Sequence, residues 1–316
     1  MRSTGPSRRA ALLGAAGAFV VGSLSGCARD PAPGVDRLVI ATGPPGAVYR
    51  EIGGVLASLL DERLPGQEVV TVETGASHDN LILLDRGDAD LGLANLDSIL
   101  DTDIAVEGSR VSAVGRLYDS FVHLVVTADS PIRSLGDIEG ARVSMGTVNS
   151  GTEFTAGQIL DVLDVRPEEL RLDQADSAAA LASGEIDAMF SLTGLPTPAI
   201  ADLAEERPLR LVDLSDAAHS MASTYPEAYF PATIPATTYT GIPACPTMSI
   251  PNLLLCREEL PDELVRRITA AMYTGAGRLA EQRPEAAQIN VRTGISTGIV
   301  PLHPGAEQWY RENKPA

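Results

Sequence analysis

The sequence has little that could carry catalysis. Its four histidines are scattered, and none has the spacing of a metal-ligand pair. No glycine-x-serine-x-glycine nucleophile elbow is present. Cys245 and Cys256 stand beside proline and apolar residues, without a nearby basic group to activate a thiolate. These absences argue against hydrolytic, metal-dependent and thiol chemistry, and we expect neither a metal nor a cofactor.

Lysine is almost absent as well, with Lys314 alone among 24 basic residues, which we interpret as coding bias. The chain carries 42 acidic residues and a formal charge of −18. Residues 1–26 contain three arginines and no acid, so without them the charge is about −21. An acidic surface of this kind disfavours nucleic acids and anionic lipid headgroups as partners.

The apolar run from Ala10 to Leu24 is too short to span a membrane comfortably. It follows Arg8-Arg9 and ends in Leu24-Ser25-Gly26-Cys27, which is typical of a lipoprotein box after a twin-arginine export signal. We predict a signal peptide at 1–26, a lipid on the Cys27 thiol and a tether at 27–35. The alternative is an uncut anchor helix with an incidental cysteine.

Outside this segment the cysteines are Cys245 and Cys256, eleven positions apart. In an oxidising compartment they could form a structural disulfide, and the alternative is a pair of buried free thiols.

The chain after residue 36 predicts alternating strands and helices. "RLVIATG" reads as a buried strand ending at Gly43, and a helix with one apolar face follows from Val48 to Arg63. "EVVTVE" alternates like a strand, and "SHDNLILLDRG" predicts a helix capped by Ser77 and stopped by Gly87. This α/β alternation predicts a mostly parallel sheet covered on both faces.

An internal repeat predicts two such lobes. "LLDRGDADLGL" at 83–93 matches "ALASGEIDAMF" at 180–190: a helix end, Gly, an acid, one residue, Asp and an apolar strand. A chance recurrence of a simple helix–Gly–strand junction is the alternative. In open α/β sheets, ligands bind beyond the carboxyl ends of the strands, so the polar segments after both copies are expected to face each other across a cleft.

We place the crossings between lobes near Thr127–Ser130 and Ser249–Asn252. Lobe 1 is then 36–128 plus 252–316, and lobe 2 is 129–251. The C-terminal stretch that contains Trp309 and Tyr310 is expected to pack back onto lobe 1.

"VSMGTVNSGTE" at 143–153 resembles a phosphate-binding loop but lacks its lysine. A helix N-terminus offers unpaired N–H groups and about half a positive charge. Glycines let a ligand approach, and hydroxyl and amide side chains add partners, so the segment could hold a carboxylate without a buried cation. The alternative is an ordinary capped helix after a tight turn. The candidate residues here are Thr147, Asn149, Ser150, Gly151 and Thr152.

Similar polar positions follow the other strands. Tyr49 could form a cavity wall or pack on its helix, Ser77 could contact a ligand or cap its helix, and Asp97 could contact a ligand or cap the helix after it. A carboxylate could also take a cation from Arg50, Arg116 or His78, although such residues are more often surface ion-pair partners. The further candidates are Gly46, Tyr49, Ser77, Asn80, Asn95, Asp97, Thr193 and Gly194.

The chain resembles the TAXI family, the extracytoplasmic solute receptors of TRAP-type transporters, from about Leu38 to Arg311. The resemblance lies in "TGPPGAVYREIGGVLASLL", "GASHDNLILLDRGDADLGL", "RVSMGTVNSGTE", "GEIDAMFSLTGLPTPAI", "ATIPATTYTGIPACPTMSIPNLLLC" and "PLHPGAEQWYRE". It implies a two-lobed α/β fold of the periplasmic-binding-protein kind, similar to type II, with a ligand cleft between the lobes. It also implies a glutamate-like or dicarboxylate ligand and a TRAP-type membrane permease as partner.

The sequence therefore predicts a monomeric, lipid-anchored receptor on the extracytoplasmic face of the cell membrane, which closes around a small anionic solute. One rival is a sensor that reports to a membrane histidine kinase, and gene neighbours would discriminate it. A second is an enzyme on the same fold, which turnover of a candidate substrate would reveal.

Overall fold

The computed structural model describes residues 35–44, 47–100 and 110–313. The predicted signal peptide, Cys27, residues 27–34 of the predicted tether and Gly46 lie outside the described residues. Within them, no helix combines the length and the apolar composition needed to cross a membrane.

The strands are short apart from two that exceed twelve residues. They are β1 (Arg37–Ala41), β2 (Glu68–Val72), β3 (Leu91–Asn95), β4 (Val111–Thr127), β5 (Arg142–Ser144), β6 (Glu168–Leu170), β7 (Ala188–Thr193), β8 (Leu209–Leu211), β9 (Phe230–Ile234) and β10 (Cys245–Arg257).

The helices alternate with these strands over most of the chain. They are α1 (Val48–Arg63), α2 (Ser77–Arg86), α3 (Leu96–Leu100), α4 (Gly151–Leu163), α5 (Gln174–Ser183), α6 (Pro198–Glu206), α7 (Ser215–Thr224), α8 (Asp262–Thr274), α9 (Ala276–Gln282), α10 (Val291–Gly294) and α11 (Pro304–Asn313). Two 3-10 turns cover Leu135–Ile138 and Pro284–Gln288.

The strands form one mixed sheet in the order β2-β1-β3-β10-β4-β7-β5-β6, with β8 paired to β4 and β9 to β10. At one end β1 pairs in parallel with β2 and β3, and at the other β5 pairs in parallel with β6 and β7. The pairs made by β4 and β10 between these ends are antiparallel. The predicted α/β class is therefore confirmed, but the sheet is mixed and not mostly parallel as predicted, because two long antiparallel strands join its two parallel groups.

The long strands show where the chain passes from one parallel group to the other. Residues 111–121 of β4 pair with residues 249–257 of β10, whereas residues 121–127 pair with β7 and β8. The change of partner near residue 120 lies before the predicted crossing at Thr127–Ser130, because the apolar run that ends at Thr127 belongs to the second group. The other predicted crossing, Ser249–Asn252, lies opposite this point. The lobe boundaries themselves stay predictions.

The sequence repeat corresponds to a structural repeat. Gly87 and Gly184 both end their helices in the left-handed region, with φ of 75° and 78°. Asp90 Oδ2 accepts from the backbone N–H of Val39 at 2.9 Å, and Asp187 Oδ2 accepts from that of Arg142 at 2.9 Å. In each copy the aspartate joins the start of its own strand to the parallel strand beside it.

Buried apolar side chains pack on both parallel groups. One cluster joins α1, α8 and α11 to the first group, another lies under α4 and α7, and a third lies under α5 and α6. The indole of Trp309 stacks on Tyr273 with ring centroids 5.1 Å apart, and Tyr310 donates to the carbonyl of Val114 at 3.3 Å. The C-terminal helix thus packs on the first group, as predicted.

Cys245 and Cys256 are buried free thiols. They lie at opposite ends of β10, and eleven residues of extended strand span roughly 35 Å. A disulfide needs Cα atoms less than about 7 Å apart, so the disulfide alternative is wrong. Burial raises the pKa of the Cys245 thiol to about 11.

Candidate functional site

A cavity of about 280 Å³ lies where the two parallel groups face each other. Its wall on the side of the first group includes Tyr49 and Asn95, and its wall on the other side includes Ser150, Gly151 and Thr193. The halves touch around it: a Cβ built on Gly75 would lie 3.1 Å from the carbonyl oxygen of Val148. The two halves therefore approach each other closely beside the cavity.

Five helices point their N-terminal ends at this cavity. The lining includes the first residues of α1, α2, α4, α5 and α6 or the residues directly before them. The first amides of a helix have no carbonyl partner within it, and they carry the positive end of the helix dipole. Five such ends converge from both sides, so their dipoles and free amides favour an anion without a basic side chain.

The start of α4 explains the lysine-free glycine segment. Gly146 has φ of 92° and Asn149 has φ of 61°, so the chain turns sharply before the helix. Ser150 caps it by accepting from the N–H of Glu153 at 3.1 Å. Thr152 Oγ1 accepts from the N–H of Leu192 at 3.1 Å, which ties the helix start to β7. The amides of Gly151 and Thr152 thus remain without a helical partner beside the cavity.

The opposite wall is held by side-chain hydrogen bonds. Tyr49 donates its hydroxyl proton to Asn252 Oδ1 at 2.5 Å, and Asn95 Nδ2 donates to the same oxygen at 2.9 Å. Ser77 donates to Asn95 Oδ1 at 3.0 Å and accepts from the N–H of Asn95 at 3.1 Å. Burial raises the pKa of Tyr49, so this hydroxyl keeps its proton at neutral pH.

The structure brings seven of the predicted site residues to the cavity: Tyr49, Asn95, Thr147, Ser150, Gly151, Thr152 and Thr193. Five others do not line it. Ser77 lies behind Asn95 and is not the cap of α2, since Ala76 holds that position with φ of 97°. Asn149 is exposed, and its N–H donates to Glu153 Oε2 at 2.8 Å.

Asn80 and Gly194 have structural contacts instead. The Asn80 amide donates to the carbonyls of Thr42 and Leu93, both at 2.7 Å, which locks α2 onto the sheet. Gly194 lies against the turn at Pro284–Gln288, where an added Cβ would meet Glu285 Cγ at 2.2 Å. Both residues support the walls and do not form them.

Asp97 is fully buried and links the two halves. Its carboxylate accepts from the Thr155 hydroxyl of α4 and, at 2.9 Å, from the hydroxyl of Tyr229. It also accepts from the N–H of Ser98 at 2.8 Å, but Asp97 lies inside α3 and does not precede it, so the predicted capping role is wrong. Burial raises the pKa of Asp97, and the hydrogen bonds from Thr155 and Tyr229 oppose that rise.

None of the three predicted cations reaches the cavity. Arg50 lies 3.6 Å from Glu73, Arg116 pairs with Asp119 at 2.6 Å, and the His78 ring packs against Phe154. Among the described residues that line the cavity there is no lysine, arginine or histidine, and the charged ones are Asp173 and Asp202. Both of these acids are exposed at the rim.

Sequence reasoning missed part of the lining. Tyr118 and Ser120 come from the middle of β4, Gln174 and Ser177 from α5, and Phe190 and Leu192 from β7. Signals for some of them exist, since Asp173 caps α5 and Pro198 opens α6, both of which are typical helix starts. Tyr118 and Ser120 lie within an uninterrupted strand, where no helix-start residue indicates a binding site.

The histidines form no metal site in the described part of the chain, where no group of three His, Cys, Asp or Glu residues is spaced to hold an ion. His123 is buried, with its Nδ1 2.9 Å from the Phe121 carbonyl and its Nε2 2.9 Å from the Tyr239 hydroxyl. Tyr239 in turn accepts from the N–H of Thr197, which precedes the cavity residue Pro198.

Solved structures share this fold. The periplasmic aliphatic sulphonate-binding protein SsuA from Escherichia coli is 20% identical, with a TM-score of 0.51 over 89% of this chain and 80% of its own. XAC2383 from Xanthomonas citri, bound to ATP, is 14% identical, with a TM-score of 0.54 over 88% and 95%. A putative L-cystine ABC transporter protein from Listeria monocytogenes is 14% identical, with a TM-score of 0.52 over 81% and 98%.

The chain therefore has the two-lobed α/β fold of periplasmic binding proteins. A model of the NMT1-like family matches residues 40–313, and the chain belongs to that family.

Proposed function

We propose that the protein is a solute receptor that closes its two lobes around a small carboxylate. The observation that carries this proposal is the ring of five helix N-termini, from both halves, around one cavity without a basic side chain among its described residues. Such ends hold anions through amide N–H groups, and the interaction strengthens when closure removes water. A receptor that must release its solute gains from having no full cation in the site.

The size of the cavity, about 280 Å³, suits a small solute such as an amino acid or a short dicarboxylic acid. Apolar side chains, including Phe190 and Leu192, share the lining with hydroxyl and amide groups. This mixture suits a short carbon skeleton with a polar end. The family resemblance favours glutamate-like acids and dicarboxylates among such solutes.

We assign the receptor to the extracytoplasmic face of the membrane, anchored by a lipid on Cys27. The order of charges, apolar residues and cysteine at 7–27 supports this placement. Two of the proteins that share the fold are named for sulphonate binding and for an L-cystine ABC transporter. The six quoted motifs favour a TRAP-type permease as the partner, and gene neighbours would separate these alternatives and the sensor kinase.

A thermal-shift screen of amino acids and small organic acids tests the proposal. A solute that binds the native state raises the melting temperature as its concentration exceeds its dissociation constant. We expect a small carboxylate to give such a shift, and X-ray scattering to show a smaller radius of gyration with it. Shifts from uncharged or cationic solutes alone would contradict the anion site, and turnover of any compound would favour the enzyme.

A further inference from the structure

Asn252 lies at an irregularity in the middle of β10. It is opposite Asn95 of β3, and the pairing of β10 with β4 shifts between Pro251 and Leu253. One extra residue of β4 is accommodated there, which is a β-bulge, and Pro251 has no N–H for a ladder bond. Bulges redirect side chains, and this one lies where β4 changes its partner strands.

The side chain of Asn252 is fully buried and uses both of its polar atoms. Its Oδ1 accepts from the Tyr49 hydroxyl at 2.5 Å and from Asn95 Nδ2 at 2.9 Å. Its Nδ2 donates to the Tyr118 carbonyl at 3.0 Å and to Ser120 Oγ at 2.9 Å. A backbone carbonyl can only accept, so the bond to Tyr118 fixes which end of the amide is nitrogen.

All four of these partners, Tyr49, Asn95, Tyr118 and Ser120, belong to residues that line the cavity, and Asn252 does not. They come from α1, β3 and β4, and Tyr49 is 203 positions away in the chain. One amide at the crossing strand thus joins three separate elements of the wall.

We propose that Asn252 is a positioning residue that determines which groups of this wall donate a hydrogen bond to a solute and which accept one. Because the Tyr49 proton is given to Asn252, the Tyr49 hydroxyl can offer a solute only an acceptor. This inference rests on the proposed function and narrows its ligand class: a carboxylate with an N–H or O–H donor is preferred to the same acid without one.

The first test needs no ligand. In protein labelled with ¹³Cζ-tyrosine, the Tyr49 signal is assigned by its loss in Tyr49→Phe. We expect Asn252→Leu, which is of similar size but apolar, to move that signal, and Asn252→Asp, which keeps an acceptor oxygen, to restore it. Thr247→Val is the matched control, because it removes a buried side-chain bond to the Val122 carbonyl from the same strand. An unmoved Tyr49 signal in Asn252→Leu would overturn the proposal.

The second test uses two pairs of acids that differ by one donor, L-glutamate with glutarate and L-malate with succinate. By calorimetry we expect wild type to prefer the donor-bearing acid of a pair by about fivefold, the effect of one hydrogen bond. Asn252→Leu should lose that preference, because its Tyr49 proton is free to be donated. Thr247→Val should keep the preference even if its melting temperature falls.

An unchanged preference in Asn252→Leu would assign Asn252 a merely structural role. If Asn252→Leu does not fold, the double-mutant cycle of Asn252→Asp with Tyr49→Phe replaces it, and additive effects on affinity would refute the coupling. If none of the four acids binds wild type, the small-carboxylate function fails, and the tyrosine signal alone decides the role of Asn252.

Discussion

Gly151 of α4 lies directly against Asn95 of β3, across the cleft. A Cβ built on Gly151 would be 2.5 Å from Asn95 Oδ1 and 3.1 Å from Ser77 Oγ. The two residues belong to opposite parallel groups, so the halves of the protein are close together at this point. A side chain at this position must either displace the Asn95 amide, which hydrogen bonds to Ser77 and Asn252 hold in place, or move the halves apart.

The Gly151→Val variant should therefore fold normally, but its two halves should no longer close around a ligand. Each half can retain its own core, and the added side chain only prevents the approach. We expect affinity for a bound carboxylate to fall at least tenfold, which corresponds to about 1.4 kcal/mol. Calorimetry measures the loss, and X-ray scattering should show no compaction on ligand addition.

Gly157→Ala on the same helix is the control, because a Cβ there meets nothing within 4 Å. We expect it to bind as wild type does. Wild-type affinity and compaction in Gly151→Val would show that the helix start does not close on Asn95.

Tyr229→Phe tests the buried link at Asp97. The variant removes a hydroxyl that lies 2.9 Å from Asp97 Oδ2 and 2.8 Å from Gln158 Oε1, and it leaves a buried carboxylate with one donor fewer. We expect a loss of about 1–3 kcal/mol in the free energy of unfolding, the usual cost of an unmade buried hydrogen bond. Chemical denaturation at neutral pH measures it.

The nearby Tyr225→Phe is matched in chemistry. Tyr225 is partly buried, and its ring centroid lies 5.9 Å from that of Tyr229. Its hydroxyl makes no hydrogen bond to Asp97, so the variant should change stability little. Equal losses of unfolding free energy in the two variants would show that the hydrogen bond from Tyr229 to Asp97 does not stabilise the protein.

The sequence predicts the local parts of this fold well. α1 spans Val48–Arg63 as predicted from its apolar face, and Gly87 stops α2 in the left-handed conformation. These features depend on a few neighbouring residues, and their signals lie within one or two turns of chain. The repeat around Asp90 and Asp187 was visible for the same reason.

Long-range pairing has no such local signal. The change of partner within β4 depends on β7, which is nearly seventy residues away. The apolar pattern of β4 does not indicate where this change occurs. Asn252 reads as a polar residue in an apolar strand, and only the fold brings Tyr49 and Asn95 to it. Likewise Asn80 has the residue type of a ligand contact, but its amide is used by backbone carbonyls.

Cys27→Ala tests the predicted lipid anchor. The thiol is the acceptor of the lipid, so the variant should leave the membrane fraction and appear in the soluble extracytoplasmic fraction. Fractionation followed by immunoblotting measures the change, and metabolic labelling with a fatty acid should be lost together with it. Retention of the variant in the membrane would favour an uncut spanning helix.

His123 should make the stability of the protein depend on pH. Burial lowers the pKa of this imidazole from 6.5 to about 4. Between these values the unfolded chain binds a proton that the folded chain excludes. The stabilisation is therefore complete above pH 6.5 and is lost as the pH falls towards 4, by about 3 kcal/mol in total at 1.4 kcal/mol per pH unit.

His123→Gln should remove this component of the acid loss, because glutamine does not titrate. The informative quantity is the difference in unfolding free energy between the variant and wild type, measured by denaturation from pH 7.5 to 4.5. Acidic groups contribute to both proteins and cancel in that difference, which should shift in favour of the variant by about 2 kcal/mol over the range. His219→Gln, at an exposed position of α7, controls for loss of an imidazole. A difference that stays constant with pH would mean that His123 is accessible to protons in the folded state, and that its bond to Tyr239 does not keep it neutral.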